Sequence, residues 1–443
     1  MAKALTRRVL KATTLLGSTQ VMSMACSVVR MKLLSVWIGE LGVGLMGAIS
    51  QAADFIGNAT QLSMRTTAVR DLAASQSSQR PQVLTCVRRY GLLLGLIGFA
   101  IMFLLAPQIA EFTYGTRVFG WAYRISALSI LFTSLLGSEL VVLQAYGEYK
   151  AIATRGLLSA ILGLLIALPL FYFLREHGIA FAILGYSLVG WLTALHLSRQ
   201  HRVLRPLPTW KSSLSLGKGF IAVGAILTVT SLVTDAANFA FIGFIGRHGK
   251  DTLGHFQASY TMLWRYVGIC FTAFAVEFYP RLSRVAHSRR ATSLMITHQA
   301  MLFTLLAVPF AALAIALAPW LIRQLFRESF MPMLPYFVWG MVGMILRPLS
   351  ITMSYSFLAA NRGRVYATTE ILSTLAGLAL NIAGFTFGGF TGLGLALIAW
   401  LFIDLTIILL AARLCGAPLP RTRAIVAAFI APLPVALIAL VLH

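Results

Sequence analysis

The chain is predicted to be an all-α polytopic membrane protein: two parallel six-helix repeats around a central polar cavity, followed by an extra C-terminal hydrophobic helix. Three observations predict it. Hydrophobic residues fill 58% of the 443 positions, charged residues only 11%, and the mean hydropathy is +0.83. A soluble domain of this length needs more polar surface than that. Apolar windows long enough to cross the hydrocarbon recur along the whole chain, joined by short links, and the few polar residues inside them fall in stripes.

The windows lie near 9–36, 43–70, 90–106, 118–145, 151–174, 178–199, 216–246, 254–279, 293–319, 331–359, 364–387 and 390–413, with a thirteenth at 424–442. The first has a basic front (Lys3, Arg7, Arg8, Lys11), and Met24-Ala25-Cys26 imitates a lipoprotein cleavage site. Ser23 stands where that site wants leucine, and Arg30 and Lys32 follow at once, so the segment reads as an uncleaved first helix. Cys26, Cys86, Cys270 and Cys415 are scattered without paired spacing. They read as packing residues, with no disulfide frame, metal site or cofactor expected.

Charge sorts by side. Alternate connections, beginning with the N-terminus and including the link 199–215, hold 24 basic residues. The remaining connections hold six: Arg117, Arg175, Arg247, Lys250, Arg323 and Arg327. The positive-inside rule therefore places the N-terminus and the link in the cytoplasm. The net charge of +23 orients the chain and meets anionic lipids, and nucleic acid is not an expected partner.

The chain also repeats itself. The run from Leu143 through Gly147 to Ala151 parallels the run from Leu358 to Ala367, and His177-Gly-Ile-Ala parallels Thr391-Gly-Leu-Gly. Arg199 ends segment 6 as Arg413 ends segment 12, and Ile38-Gly39 matches Ile245-Gly246, at offsets of 207–216 residues. Six spans per copy make the repeats parallel. The expected division is an N-terminal lobe at 1–200, a cytoplasmic linker at 201–215, a C-terminal lobe at 216–414 and an accessory segment at 420–443, in a monomer.

On segment 2, Gln51, Asp54, Asn58, Gln61 and Arg65 share an arc of about 80° at 100° per residue. Gln20, Ser23, Ser27 and Arg30 do the same on segment 1, and Thr228, Ser231, Asp235 and Asn238 on segment 7. Unpaired charges cost too much in lipid for these faces to look anywhere but onto protein or water. Arg30, Arg65, Arg265 and Arg347 are the candidate anion-binding residues, because a guanidinium offers an oxyanion a bidentate fork. Gln51, Asn58 and Gln61 would line the same path. Asp54 and Asp235 are the candidates for ion coupling or gating, with H⁺ or Na⁺ as coupling ion. The competing reading has the arginines snorkelling, or pairing structurally with Asp54, Asp235 or Glu277. Arg124 and Lys32, near helix ends, fit snorkelling better. Asp404 is expected to pack within its lobe, Glu277 and Glu370 to pair with neighbours such as Arg281, and Tyr260 and Trp264 to anchor an interface or stack on sugars.

Several motifs together resemble a known family. They are the run from Arg30 to Gly47, Thr67-Ala-Val-Arg-Asp-Leu-Ala, Leu253-Gly-His-Phe-Gln-Ala with Glu277-Phe-Tyr-Pro-Arg-Leu-Ser, and Glu370 with Gly392-Leu-Gly-Leu-Ala. In this order they are similar to the bacterial polysaccharide transporters, the Wzx-type O-antigen flippases of the multidrug/oligosaccharidyl-lipid/polysaccharide exporter superfamily. The resemblance implies two lobes forming a V, with segments 1, 2, 7 and 8 lining the cavity. It also implies an undecaprenyl-pyrophosphate-linked oligosaccharide as substrate, carried from the cytoplasmic to the periplasmic leaflet of the bacterial inner membrane. The polysaccharide polymerase machinery would be a further partner. A multidrug or cation antiporter of the same superfamily is the alternative. No HExxH, Walker loop or large extramembrane domain is present, so neither an enzyme nor an ATP-driven pump is expected.

Topology is directly testable. A fluorescent protein fused after Thr209 should be bright and alkaline phosphatase fused there inactive, with the reverse after His248. The opposite pattern would invert the orientation.

Overall fold

The computed structural model describes the backbone of residues 2–61, 68, 69, 72, 75, 80–201 and 209–442, and their side chains except at 2–16, 210–227, 269, 270, 272–277 and 280. Among the described residues there are helices and no strands, as hydrocarbon demands of a chain that must satisfy every backbone group within itself. In order they are α1 (Ala2–Trp37), α2 (Glu40–Gln61), α3 (Arg80–Tyr114), α4 (Gly120–Ala145), α5 (Tyr149–Leu174), α6 (Glu176–Leu197) and α7 (Trp210–Gly246). Next come α8 (250–285), α9 (Arg289–Ala316), α10 (334–359), α11 (363–388), α12 (390–414) and α13 (Thr422–Leu442). Each covers one sequence window. Helix α3 overruns its window at both ends, because polar residues continue the helix beyond the apolar stretch. Eight described helices are long and apolar enough to cross a membrane, counting α11 and α12 as one run. The bent helix α10 makes a ninth when its two halves count as one span.

Three helices are irregular, each for a local reason. A π-helical turn, Thr261–Tyr266, interrupts α8 and sets Trp264 and Arg265 on its bulge; such turns recur at functional sites. The chain bends by 53° between Glu328–Met344 and Arg347–Ala359, within α10, where Pro348 cannot donate to the preceding turn. The α11–α12 junction turns at Gly389, with φ 57 and ψ −137, a conformation that only glycine adopts without strain.

Contacts divide the chain into two compact units, Met1–Gly254 and His255–His443. Helix α7 follows the basic link in sequence yet clusters with the first unit, since it packs on α2 and α3. Within that unit α3 lies chiefly on α4, α5 on α6, and α1 on α5. In the second unit the first half of α10 packs on the α11–α12 pair, and α9 on the second half of α10 and on α13.

The internal repeat is written in the backbone at a constant spacing of 214 residues. Gly147 and Asn361 both take positive φ, 71 and 58, after α4 and α10. The same backbone bonds close both ends, Glu148 N to Leu143 O and Arg362 N to Phe357 O. Arg175 between α5 and α6 has φ 53 and ψ −128, matching Gly389. Its guanidinium donates to the Trp37 carbonyl at 2.6 Å, which helps hold a turn that disfavours a side chain. Gly163 abuts the Tyr186 ring as Gly377 abuts Trp400. An ideal Cβ at Gly178 would lie 2.1 Å from the Leu170 carbonyl oxygen, and one at Gly392 2.1 Å from that of Gly384. Gly178→Ala and Gly392→Ala should therefore each force two helices apart, costing about 1–3 kcal/mol. Matched falls in the melting temperature of detergent-purified protein would show it, and an unchanged melting temperature in either variant would refute the close approach.

Candidate functional site

In the first unit the polar stripes of α2 and α7 meet. Asn58 Nδ2 donates to Asp235 Oδ2 at 2.8 Å; Asn58 is exposed and Asp235 half-buried. One turn away Phe239 stacks on Phe55 and on Phe112, with centroids 5.9 and 5.3 Å apart. Beside this seam, the start of α8 meets α2 and the end of α7 meets α3 at backbone distance. A Cβ at Gly254 would lie 2.2 Å from the Glu40 carbonyl oxygen, and one at Gly246 1.8 Å from that of Thr113. Asp54 is exposed on the same stripe, whereas Gln51 is buried. Gln61 is half-buried and turned toward α3 and α4, lining a small gap with Gly91, Ser134, Gly137 and Ser138. Arg65 lies outside the described residues. The Arg30 Cζ sits 5.2 Å above the Tyr186 ring of α6, and that of Arg124 5.9 Å above Phe103.

A buried carboxylate ties three helices in this unit. Glu139 of α4, 3% exposed, accepts both arms of Arg88 from α3 at 2.8 and 2.7 Å, and the Ser198 hydroxyl at 2.5 Å. A bidentate charged pair with a further donor meets the conditions under which burial of such a pair is tolerated.

The second unit has its own carboxylate, Asp404 of α12, 2% exposed. It accepts from Arg347 at 3.4 Å, from Ser373 of α11 at 2.6 Å, and from Ser350. The Arg347 Cζ also lies 5.7 Å above Trp264. Trp264 packs on Trp400 at 5.6 Å and beside Tyr260 at 6.3 Å, while the Trp400 indole donates to the Ser373 carbonyl. Arg347 and Ser350, with Ser354, Tyr355, Tyr366 and Glu370, line a cavity of about 240 Å³. Arg265, beside Trp264 on the π turn, is exposed and forms no salt bridge among the described residues. Such a wall of guanidinium, hydroxyl and aromatic groups can bind an oxyanion and a sugar face.

The sequence profile of the family described as "polysaccharide biosynthesis protein" matches residues 71–335. The chain belongs to that family. Among solved structures, this family member is similar in fold to the lipid II flippase MurJ in an inward closed conformation, at TM-score 0.71 and 14% identity over 97% of both chains. It is also similar to a mutant of the Vibrio cholerae MATE transporter VcmN, at TM-score 0.63 and 14% identity over 93% of this chain and 97% of that one. A MOP superfamily transporter from Pyrococcus furiosus follows at TM-score 0.54 and 15% identity, over 97% and 96%. No curated protein matches in sequence.

Of the residues this family member was expected to use, the fold joins Asn58 to Asp235 in one unit. In the other it sets Arg347 against the neighbour of Arg265. Among the described residues the acid that Arg347 pairs with is Asp404; the side chain of Glu277 lies outside them. Glu370 faces the Arg347 cavity. Among the basic residues counted with the connections, Arg88 stands on α3 and pairs with Glu139, and Arg155 stands on α5. The repeat alignment carried the signal for Arg155, since it sets that residue one helical turn before Ser159, the match of Ser373.

Removing Asp404 strands Arg347. Asp404→Ala should cost about 3 kcal/mol, and Arg347→Leu combined with Asp404→Leu should recover most of it. Denaturation of the three proteins in detergent decides; a double variant no more stable than Asp404→Ala would mean the pair is not the source of the loss.

Proposed function

We propose that the protein is a flippase for an undecaprenyl-pyrophosphate-linked oligosaccharide, moving it from the cytoplasmic to the periplasmic leaflet of the bacterial inner membrane. The observation that carries this reading is Arg265: an exposed cation on the π turn of a helix in a membrane fold, beside the Tyr260–Trp264–Trp400 aromatic run. A pyrophosphate bears about two negative charges and suits guanidinium forks, and aromatic faces suit sugar rings. The family's description and the fold shared with the lipid II flippase support the same class of cargo. A cation or drug antiporter would want acids at such a position.

Alternating access then follows from the repeats at 1–200 and 216–414 moving as lobes. The seam of α2 and α7 joins one repeat to the other, so the Asn58–Asp235 bond and the Phe55–Phe239 stack act as a gate that parts when substrate leaves. Asp54 and Asp235 would couple this to H⁺ or Na⁺ entry. Anionic lipids hold the basic cytoplasmic face, the unit of function is a monomer, and the polymerase machinery receives the product.

Arg30→Ala and Arg265→Ala should each abolish surface polysaccharide without changing the amount of protein in the membrane, while Arg265→Lys keeps part of it. In the same strains lipid-linked sugars should accumulate in the inner leaflet, read by a leaflet-specific labelling assay. Normal surface polysaccharide in both alanine variants would remove these arginines from the mechanism.

A further inference from the structure

The 214-residue register shows what the first repeat holds where the second holds its buried acid. Asp404 corresponds to Gly190, Ser373 to Ser159, Ser350 to Leu136, Trp400 to Tyr186, and Thr369 to Arg155. The correspondence is spatial as well as sequential: an ideal Cβ at Gly190 would lie 3.3 Å from Leu136, 3.9 Å from Ser159 Oγ and 4.0 Å from Arg155 Nη1. At the same place, therefore, one repeat carries a carboxylate that satisfies its arginine, and the other carries an arginine and no carboxylate.

Arg155 is held within α5, one and a half turns from its start, with its Nε buried and without a hydrogen-bond partner. It forms no salt bridge among the described residues. The acids of the first unit with printed partners are committed elsewhere: Glu139 to Arg88, Glu148 to His201, Glu111 to Arg117 and Asp235 to Asn58. Around it stand groups that donate. Tyr186 is 42% exposed, the Arg30 guanidinium lies over its ring, and Ser159 bonds to Thr193 at 3.1 Å. A charged group on an apolar helix is costly unless protein, water or an anion meets it, and the buried Arg155 Nε, without a protein partner, calls for one from outside. A phosphate carried by a lipid is an anion that a helix of this kind can meet.

We propose that Arg155, with Tyr186 and Ser159, is a phosphate subsite on α5 and α6 for the lipid-linked substrate. This rests on the flippase reading and adds a residue to it. The same chemistry could recognise a phospholipid headgroup, so the test has two arms. Purified full-length protein in nanodiscs of zwitterionic lipid is titrated with undecaprenyl pyrophosphate and, separately, with phosphatidylglycerol. Arg155→Leu should weaken undecaprenyl pyrophosphate binding about tenfold, the loss of one charged bidentate contact, with Arg155→Lys intermediate and phosphatidylglycerol binding unchanged. Gly190→Asp, which gives the first repeat the acid of the second, should weaken it as much while the melting temperature holds, since its carboxylate occupies Arg155 in place of the ligand. That second variant separates loss of binding from loss of fold. Wild-type affinity in both Arg155→Leu and Gly190→Asp overturns the subsite and leaves the flippase reading standing. A loss confined to phosphatidylglycerol overturns it too, making the cluster a lipid-anchoring site. If the wild-type protein fails to bind undecaprenyl pyrophosphate, the flippase reading falls and takes the subsite with it.

Discussion

A charge placed among apolar helices must be met by protein or by water, because lipid offers it nothing. That constraint accounts for more of this structure than any propensity does. Glu139 is met by a bidentate arginine and a serine, so that α3, α4 and α6 are fixed against one another. Asp404 is met by an arginine and two serines, which does the same for α10, α11 and α12. Each carboxylate has its oxygens filled from two other helices, and sliding any one of the three would strand a charge. Hydrophobic contact between helices in lipid is weakly directional, so these polar struts are what can set register.

The two repeats share their turns and not their charges. Positive φ recurs at Gly147 and Asn361 and at Arg175 and Gly389, because the chain must reverse there in both copies whatever side chains it carries. Backbone carbonyls pressed against Gly178 and Gly392 recur for the same reason. Side chains facing the interior of each copy are under no such demand. The strut acid stands on the fourth helix of the first repeat and on the sixth of the second, and its arginine has moved from the third helix to the fourth. Duplication thus kept a frame and left its interior free to acquire different electrostatics.

Sequence reading recovered the helices closely, since hydropathy over 20 residues integrates a strong signal, and the repeat motifs pointed to the right pairs of turns. It says less about what each charge meets. Arg88 and Arg155 were assigned to connections because each lies near the start of an apolar window. Yet α3 and α5 begin before those windows, and the arginines turn inward from helical backbone. Periodicity likewise places residues on a face without saying what the face meets. Asn58 and Gln61 share one arc of α2, but Asn58 reaches α7 while Gln61 settles beside Gly137, where a missing side chain makes room. The π turn that displays Trp264 and Arg265 had no sequence signature, because it arises from one extra residue accommodated in an otherwise regular helix.

The difference between Arg347 and Arg155 bears on how a transporter can hold an anion and still let it go. Arg347 already has a carboxylate partner, so an incoming phosphate would have to compete with Asp404 for it, and binding there is weakened by what it displaces. Arg155 has no such competitor, and Arg265, exposed on its bulge, forms no salt bridge among the described residues. Within each unit, a self-neutralised arginine holds an anion less strongly than one without a carboxylate beside it. Under the flippase proposal that difference matters, because attachment that is tight everywhere would trap the cargo.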